Sequence, residues 1–303
     1  MATTARSGLS RRRREGGVLH GLANTLGQIV RRPAGVIGLI IVLALIILAI
    51  APGLFAPYEP DAQAISDRLQ GPNSAHLLGT DRIGRDILSR LIYGVGIALV
   101  VALPAVLSAL VVGLLLGVVA AWRGGLIDSI VVIVMDTLQA FPAVILALAL
   151  LALLGGSLRN VIIVIAIAFI PNYARVSRAL VFAAKTNQWV EAERALGAGT
   201  LRIVVTHILP NIMPPLFILM AMDIPSAIVI EAGLSFLGLG VQPPTPSWGV
   251  ILSDGFQNVI QSPWGVVFAS IFLMISTLGF TMLGETTRDI VDPRLAGLTR
   301  RRW

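Results

Sequence analysis

The 303 residues predict an all-α integral membrane protein, and three observations carry that prediction. Apolar side chains make up 56% of the chain and charged ones only 13%, about half the ~25% of an ordinary soluble domain. Mean hydropathy is +0.86. The apolar residues also fall into runs close to the ~20 residues that a helix needs to cross a bilayer core. A soluble fold of this composition would leave much of that apolar surface in water.

Six spans are expected. The first runs from Gly35 to Ala56 and the second from about Val95 to Trp122, with Pro104 inside. The third, Ile127 to Leu154, contains Asp136 and Pro142; the fourth, Asn160 to Ala184, is interrupted at Pro171. The fifth covers Asn211 to Leu237 and the sixth Pro263 to Leu283. Lys and Arg concentrate on the cytoplasmic side of membrane proteins. With the N-terminus inside, eighteen of the twenty-three basic residues fall inside and five outside, which predicts an N-in, C-in topology.

Residues 1–34 read as a basic cytoplasmic tail leading into an amphipathic helix on the inner membrane surface. Val18, Leu19, Leu22, Leu26, Ile29 and Val30 recur there at helical spacing. Arg11 to Arg14, an apolar run and Ala49-Ile50-Ala51 imitate a signal peptide, but the run exceeds the usual ~7–15 residues, so a retained first span is expected. Residues 35–303 then form the transmembrane domain, with outer loops 57–94 and 238–262 and a cytoplasmic loop 172–210. In the outer segments, Asp81, Arg82, Arg85 and Asp86 are expected to form local ion pairs that start a helix, and Trp248 and Trp264 to anchor the interface.

Several functions are excluded. With no Cys there is no disulfide framework, thiolate metal site or cysteine nucleophile. Three scattered His (His20, His76, His207) make no metal cluster, so no metal site is expected. The net charge of +7 would suit nucleic acid, but its distribution is accounted for by topology, so no nucleic-acid partner is expected. No Gly-x(4)-Gly-Lys-[Ser/Thr] phosphate loop and no Ser/His/Asp constellation occurs, so no catalytic residues are assigned. Gly79-Thr-Asp-Arg-Ile-Gly-Arg-Asp86 lacks the preceding strand that a phosphate loop needs.

Asp136, Asp223 and Glu231 stand within or at the ends of spans. An ionised side chain there costs at least ~2.5 kcal/mol on insertion scales, so each is a candidate for a translocation path, where it would meet an ammonium group or a cation. The alternative for Asp136 and Glu231 is a place near a span end, in reach of water or a partner.

The inner loop Gln188–Asn211 (QWVEAERALGAGTLRIVVTHILPN) is the most informative stretch. Trp189, Ala192 and Leu196 line one helical face, and small residues allow another protein to approach the backbone. Gly197 and Gly199 end the helix, and Thr200 is expected to cap a second one leading to Pro210. The result is a helix–glycine–helix knob.

The spacing Glu-Ala-x(4)-Gly-x(12)-Pro, at Glu191, Ala192, Gly197 and Pro210, resembles the EAA loop of ABC importer permeases. Three further segments resemble the C-type permease subunit of the dipeptide/oligopeptide/nickel importer family. They are His76–Gly94 (HLLGTDRIGRDILSRLIYG), Glu231–Gly249 (EAGLSFLGLGVQPPTPSWG) and Arg288–Leu295 (RDIVDPRL).

The resemblance implies a type I ABC importer permease in a bacterial plasma (inner) membrane. Such a chain pairs with a homologous second permease to line a path and receives di- or oligopeptides from an extracytoplasmic binding protein. Its coupling loop, residues 186–210, docks onto one or two cytosolic P-loop ATPases, which hold the ATP and Mg. By match, Glu191, Ala192 and Gly197 would form the coupling knob, with Trp189, Glu193 and Pro210 in the same loop. Glu193 stands where the family has its second alanine, which implies a complementary basic group on the ATPase. Nickel, glutathione or another small solute are the substrate alternatives. A secondary transporter driven by an ion gradient is the alternative from another class.

Overall fold

A computed structural model describes residues 27–291, and the fold over them is helical apart from one isolated bridge between Thr80 and Asp86. Most of the N-terminal amphipathic segment and the last part of Arg288–Leu295 lie outside the described residues. Gly27 to Ile29 are helical.

Helix α1 (Pro33–Ile50) begins with proline at a position where the missing N–H costs nothing, and it is apolar throughout. It stops six residues short of Ala56, at Pro52, which opens a 3₁₀ turn over Pro52–Leu54. Helix α2 (Ile87–Arg123) starts eight residues before Val95, because Asp86 caps it by accepting from the Ser89 N–H at 2.8 Å. The outer segment is correspondingly shorter than 57–94.

The third span departs most from expectation. It is two helices, α3 (Gly125–Gln139) and α4 (Ala143–Leu154), meeting at 91° across Ala140–Pro142. Pro142 lacks the N–H that would continue α3 and disfavours a helical conformation at Phe141, and on this exposed stretch the chain breaks there. The fourth departs in the opposite sense. Helix α5 (Leu158–Lys185) passes through Pro171 without interruption, so 172–185 is helix and not loop. In an apolar setting the freed carbonyl is cheaper to accommodate than a break in the helix.

Helix α6 (Gln188–Ala195) and the turn α7 (Thr200–Arg202) form the inner loop. A π-helical segment, Ile203–Ile208, then runs into α8 (Leu209–Phe236), which contains Pro214, Pro215 and Pro225. Gly199 is the residue before α7, and the Thr200 side chain makes no capping bond. Helix α9 (Trp248–Gln257), capped by Ser247, folds within 238–262, and α10 (Trp264–Val291) follows. By length and composition, five helices are able to cross a membrane, or six when the bent pair α3–α4 counts as one span.

Helix α2 is the centre, packed along α5 and crossed by α8, while α1 lies on α10. Two glycines one turn apart make the central pair possible. A Cβ on Gly113 would fall 2.5 Å from the Tyr173 Cβ, and one on Gly117 would fall 2.5 Å from the Ala174 carbonyl oxygen. This is the small-xxx-small packing of membrane helices, where close backbone approach replaces the hydrophobic drive that lipid cannot supply. Gly117→Leu is therefore expected to destabilise the detergent-solubilised protein by at least about 3 kcal/mol, the upper end of overpacking costs. Gly96→Ala is expected to be neutral in the same melting assay, since its new Cβ meets nothing closer than the Ala49 oxygen at 3.7 Å.

Candidate functional site

The inner loop is a raised knob built on a small buried footing. Val190 is fully buried and fixes α6 against the chain, while Glu191 and Ala192 are exposed. Arg194 lies over the Trp122 ring at 5.2 Å, and Lys185 donates to the Ala121 and Trp122 carbonyls at 3.3 and 3.1 Å. The first contact seats the knob on the end of α2, and the second joins the ends of α2 and α5 beside it.

The predicted apolar face is present and uncovered. Trp189 is 36% exposed and Leu196 83%, and Leu201 beside them is exposed too. Gly197 ends α6 at φ +82°, a left-handed conformation that favours glycine. Neither Gly197 nor Gly199 has an atom within 4 Å of where a Cβ would stand. Among the described residues nothing crowds either position, and only the left-handed φ of Gly197 calls for glycine. Pro210 sits exposed in the first turn of α8.

Glu193 is partly exposed and also has a partner within the chain. His207 Nε2 lies 3.3 Å from its Oε1, and the His207 ring is 6.3 Å from that of Trp189. The acid that replaces the family's alanine is thus taken up by a partner in the same chain, on the π-helical segment that follows.

On the opposite side, His76–Gly94 and Glu231–Gly249 are brought together. Arg85 is buried between Asp81 at 2.6 Å and Asp254 of α9 at 3.1 Å, so the expected local pair also spans two segments. Asp86 accepts from Ser89 and lies 3.0 Å from His76 Nδ1. Arg90 donates to the Pro60 carbonyl at 3.2 Å.

Trp248 is no interface anchor. It is 1% exposed, and its indole N–H donates to the Leu91 carbonyl at 3.0 Å. Gly94 leaves the space it fills, since a Cβ there would lie 2.8 Å from the Trp248 ring. Trp264 is half-buried and stacks on Phe268 with ring centroids 5.9 Å apart.

The three intramembrane acids separate. Glu231 is 0% exposed. Its Oε1 accepts from the Ser235 hydroxyl at 2.8 Å, and Ser235 accepts from the Val241 N–H at 2.9 Å. That places Glu231 in the interior, holding the turn after α8, and not on an open surface. Asp223 is partly buried and faces Tyr173; among the described residues, the Tyr173 hydroxyl and Asp223 Oδ2 have no hydrogen-bond partner. Asp136 alone is open, and Arg175 reaches it at 2.8 Å.

Arg175, and the pair Arg178–Asp128 at 2.6 Å beside it, escaped the sequence reading. A pattern was available. Asp128 and Asp136 are about two helical turns apart, and Arg175 and Arg178 about one, so each pair shares a helix face.

The fold and this geometry define a polytopic helical membrane protein with a broken span and a protruding apolar knob. Residues 113–297 match the family model described as binding-protein-dependent transport system inner membrane component. Residues 23–72 match the N-terminal transmembrane domain of oligopeptide transport permease C. The dipeptide transport system permease protein of Alkalihalophilus pseudofirmus is 38% identical over 88% of both chains. The di/tripeptide transport system permease protein of Pseudomonas aeruginosa is 38% identical over 85% of this chain and 87% of that protein. The glutathione transport system permease protein of Pectobacterium atrosepticum is 36% identical, covering 88% of this chain and 89% of that one. A solved structure of the MetNI methionine ABC transporter in an inward-facing conformation shares the fold, with a TM-score of 0.55 and 18% identity over 68% of this chain and 98% of that one.

The chain belongs to the inner membrane components of binding-protein-dependent transport systems, as a C-type permease of the dipeptide/oligopeptide/nickel branch. It is a multi-pass transport component of the inner membrane.

Proposed function

We propose that this chain is the permease subunit of an ATP-driven importer of di- and oligopeptides, forming half of the path with a homologous second permease. An extracytoplasmic binding protein supplies the substrate. Cytosolic P-loop ATPases hold ATP and Mg and grip residues 186–210. Within that loop Trp189, Ala192 and Leu196 form the docking face, Gly197 and Gly199 allow close approach, and Glu191 borders it. Glu193 and Pro210 act from behind, through His207 and the start of α8.

One observation carries the proposal: an exposed apolar face with two glycines beside it that no described atom crowds. Exposed Trp and Leu beside open backbone suit a protein socket better than water. The peptide substrate is supported by relatives whose names specify dipeptides and tripeptides. Glutathione, the cargo in another relative's name, is itself a small modified peptide. Among the acids, Asp136 is the one we assign to the path, since its carboxylate is open.

The test is affinity purification in mild detergent with identification of what accompanies the chain. A second permease, a P-loop ATPase and a binding protein carrying bound peptides are expected. Isolation of this chain alone, folded and monodisperse, overturns the proposal in favour of ion-driven transport.

A further inference from the structure

The outer faces of α3 and α5 carry charge at a depth where a lipid-facing surface carries none. Asp136 and Arg175 are joined at 2.8 Å with side chains 58% and 56% exposed. Arg175 lies ten residues before the end of α5 at Lys185, ~15 Å along its axis. Asp136 lies eleven residues beyond the start of α3 at Gly125, ~16 Å along that axis. Helix α5 is ~42 Å long and overhangs a hydrocarbon core ~30 Å thick by ~6 Å at each end when centred on it, which leaves Arg175 ~9 Å inside the inner edge. Charged groups at that depth face water or protein, because exposure to acyl chains is costly.

Two further features mark water in preference to lipid. A cleft of ≈ 370 Å³ opens between the helices, walled by Val132, Met135 and Ala174 beneath the ion pair. The chain also breaks one helical turn after Asp136, whose carbonyl accepts the Ala140 N–H before α4 departs at 91°. Irregular backbone at membrane depth persists only against protein or a water-filled cavity.

We infer that the Asp136–Arg175 pair is the point on the path that reads a zwitterionic peptide, an inference that rests on the importer proposed above. The closed pair exchanges partners as the peptide passes: the α-ammonium goes to Asp136 and the α-carboxylate to Arg175. The planar guanidinium suits a carboxylate, which it can hold through two parallel bonds. The exchange leaves no charge unpaired, which is the condition for opening an ion pair where water is scarce. Arg178 and Asp128 repeat the arrangement nearer the inner-loop end of the two helices, so a peptide released from the first pair meets a second. A solute lacking either charge leaves one partner unmatched.

The absence of Cys allows the environment to be read directly in the assembled importer. A membrane-impermeant cationic thiol reagent is expected to modify Val131→Cys and Val132→Cys, both half-buried on the cleft wall, and transported dipeptide is expected to slow both reactions. Modification by a lipid-soluble maleimide alone, or by either reagent only when the second permease is missing, overturns the inference in favour of lipid or a subunit interface. Arg175→Gln is expected to lower uptake of a free dipeptide about tenfold, the loss of one charge-assisted hydrogen bond. Uptake of the same dipeptide with an amidated C-terminus should not fall, since that peptide has no carboxylate for Arg175 to hold. Because each variant is compared with the wild type on the same peptide, selectivity of the binding protein cancels. Equal losses for both peptides assign Arg175 a purely structural role and overturn the inference. A wild-type complex that takes up no peptide at all sinks the importer proposal itself.

Discussion

Gly197→Arg is expected to reduce uptake by at least about 100-fold, equivalent to about 2.8 kcal/mol of lost docking energy, while the chain still inserts and accumulates. Two costs fall on this position. The backbone is at φ +82°, where an L side chain is strained by roughly 1–2 kcal/mol. A guanidinium would also project from the end of α6 beside Leu196, into the surface proposed to meet the ATPase. The first cost is local to an exposed loop and leaves the packed helices untouched, since among the described residues no atom lies within 4 Å of the new Cβ.

Gly238→Arg separates the two costs. Gly238 has φ +78°, no described atom lies within 4 Å of its Cβ position, and it ends α8 on the outer side with the same pair of backbone bonds that ends α6. It carries a similar strain without the projection into the knob, so uptake should stay near wild type. Gly199→Leu supplies the converse case, because its φ is −68° and its surroundings are equally empty. If it also abolishes uptake, the loss comes from contact with a partner and not from the backbone. Wild-type uptake by both Gly197→Arg and Gly199→Leu would remove the coupling role from this loop.

The helices and the knob were legible because their signals are local. Runs of apolar residues declare spans, and the glycine of an EAA-like loop declares a left-handed stop that the backbone then shows. What was not legible depends on partners distant in sequence. The proline residues show this best. Pro142 and Pro171 are both single prolines in apolar stretches, yet the first ends a helix and the second is absorbed. Pro171 is buried along α2, where packing holds the helix on course. Pro142 sits on an exposed stretch with little to resist the bend. Glu193 makes the same point at the site. Its sequence context suggests a partner on another protein, and only the fold reveals that His207, fourteen residues on, already occupies it.

Trp248→Ala is expected to lower stability by about 3–5 kcal/mol and to deplete the assembled protein from the membrane. An interface anchor would behave otherwise, since a ring lying among lipid headgroups is replaced at modest cost. Trp248 is enclosed: Gly94 lies beneath it, Phe272 meets it edge-on with ring centroids 6.3 Å apart, and the Leu91 carbonyl holds its N–H. Gly249 next to it tolerates no side chain, because a Cβ there would lie 2.1 Å from the Ala232 oxygen. The segments Glu231–Gly249 and His76–Gly94 are therefore two halves of one packed joint, with the indole as its pin. Trp248→Phe keeps most of the volume and loses the hydrogen bond, so a deficit of about 1 kcal/mol is expected. Gly94→Leu fills the same space from the other side and should be as damaging as the alanine variant. Detergent melting curves of the three variants decide the matter. Equal, small shifts in all three would return Trp248 to the membrane surface, whereas large losses for Trp248→Ala and Gly94→Leu with a small one for Trp248→Phe fix it as the pin of the outer joint.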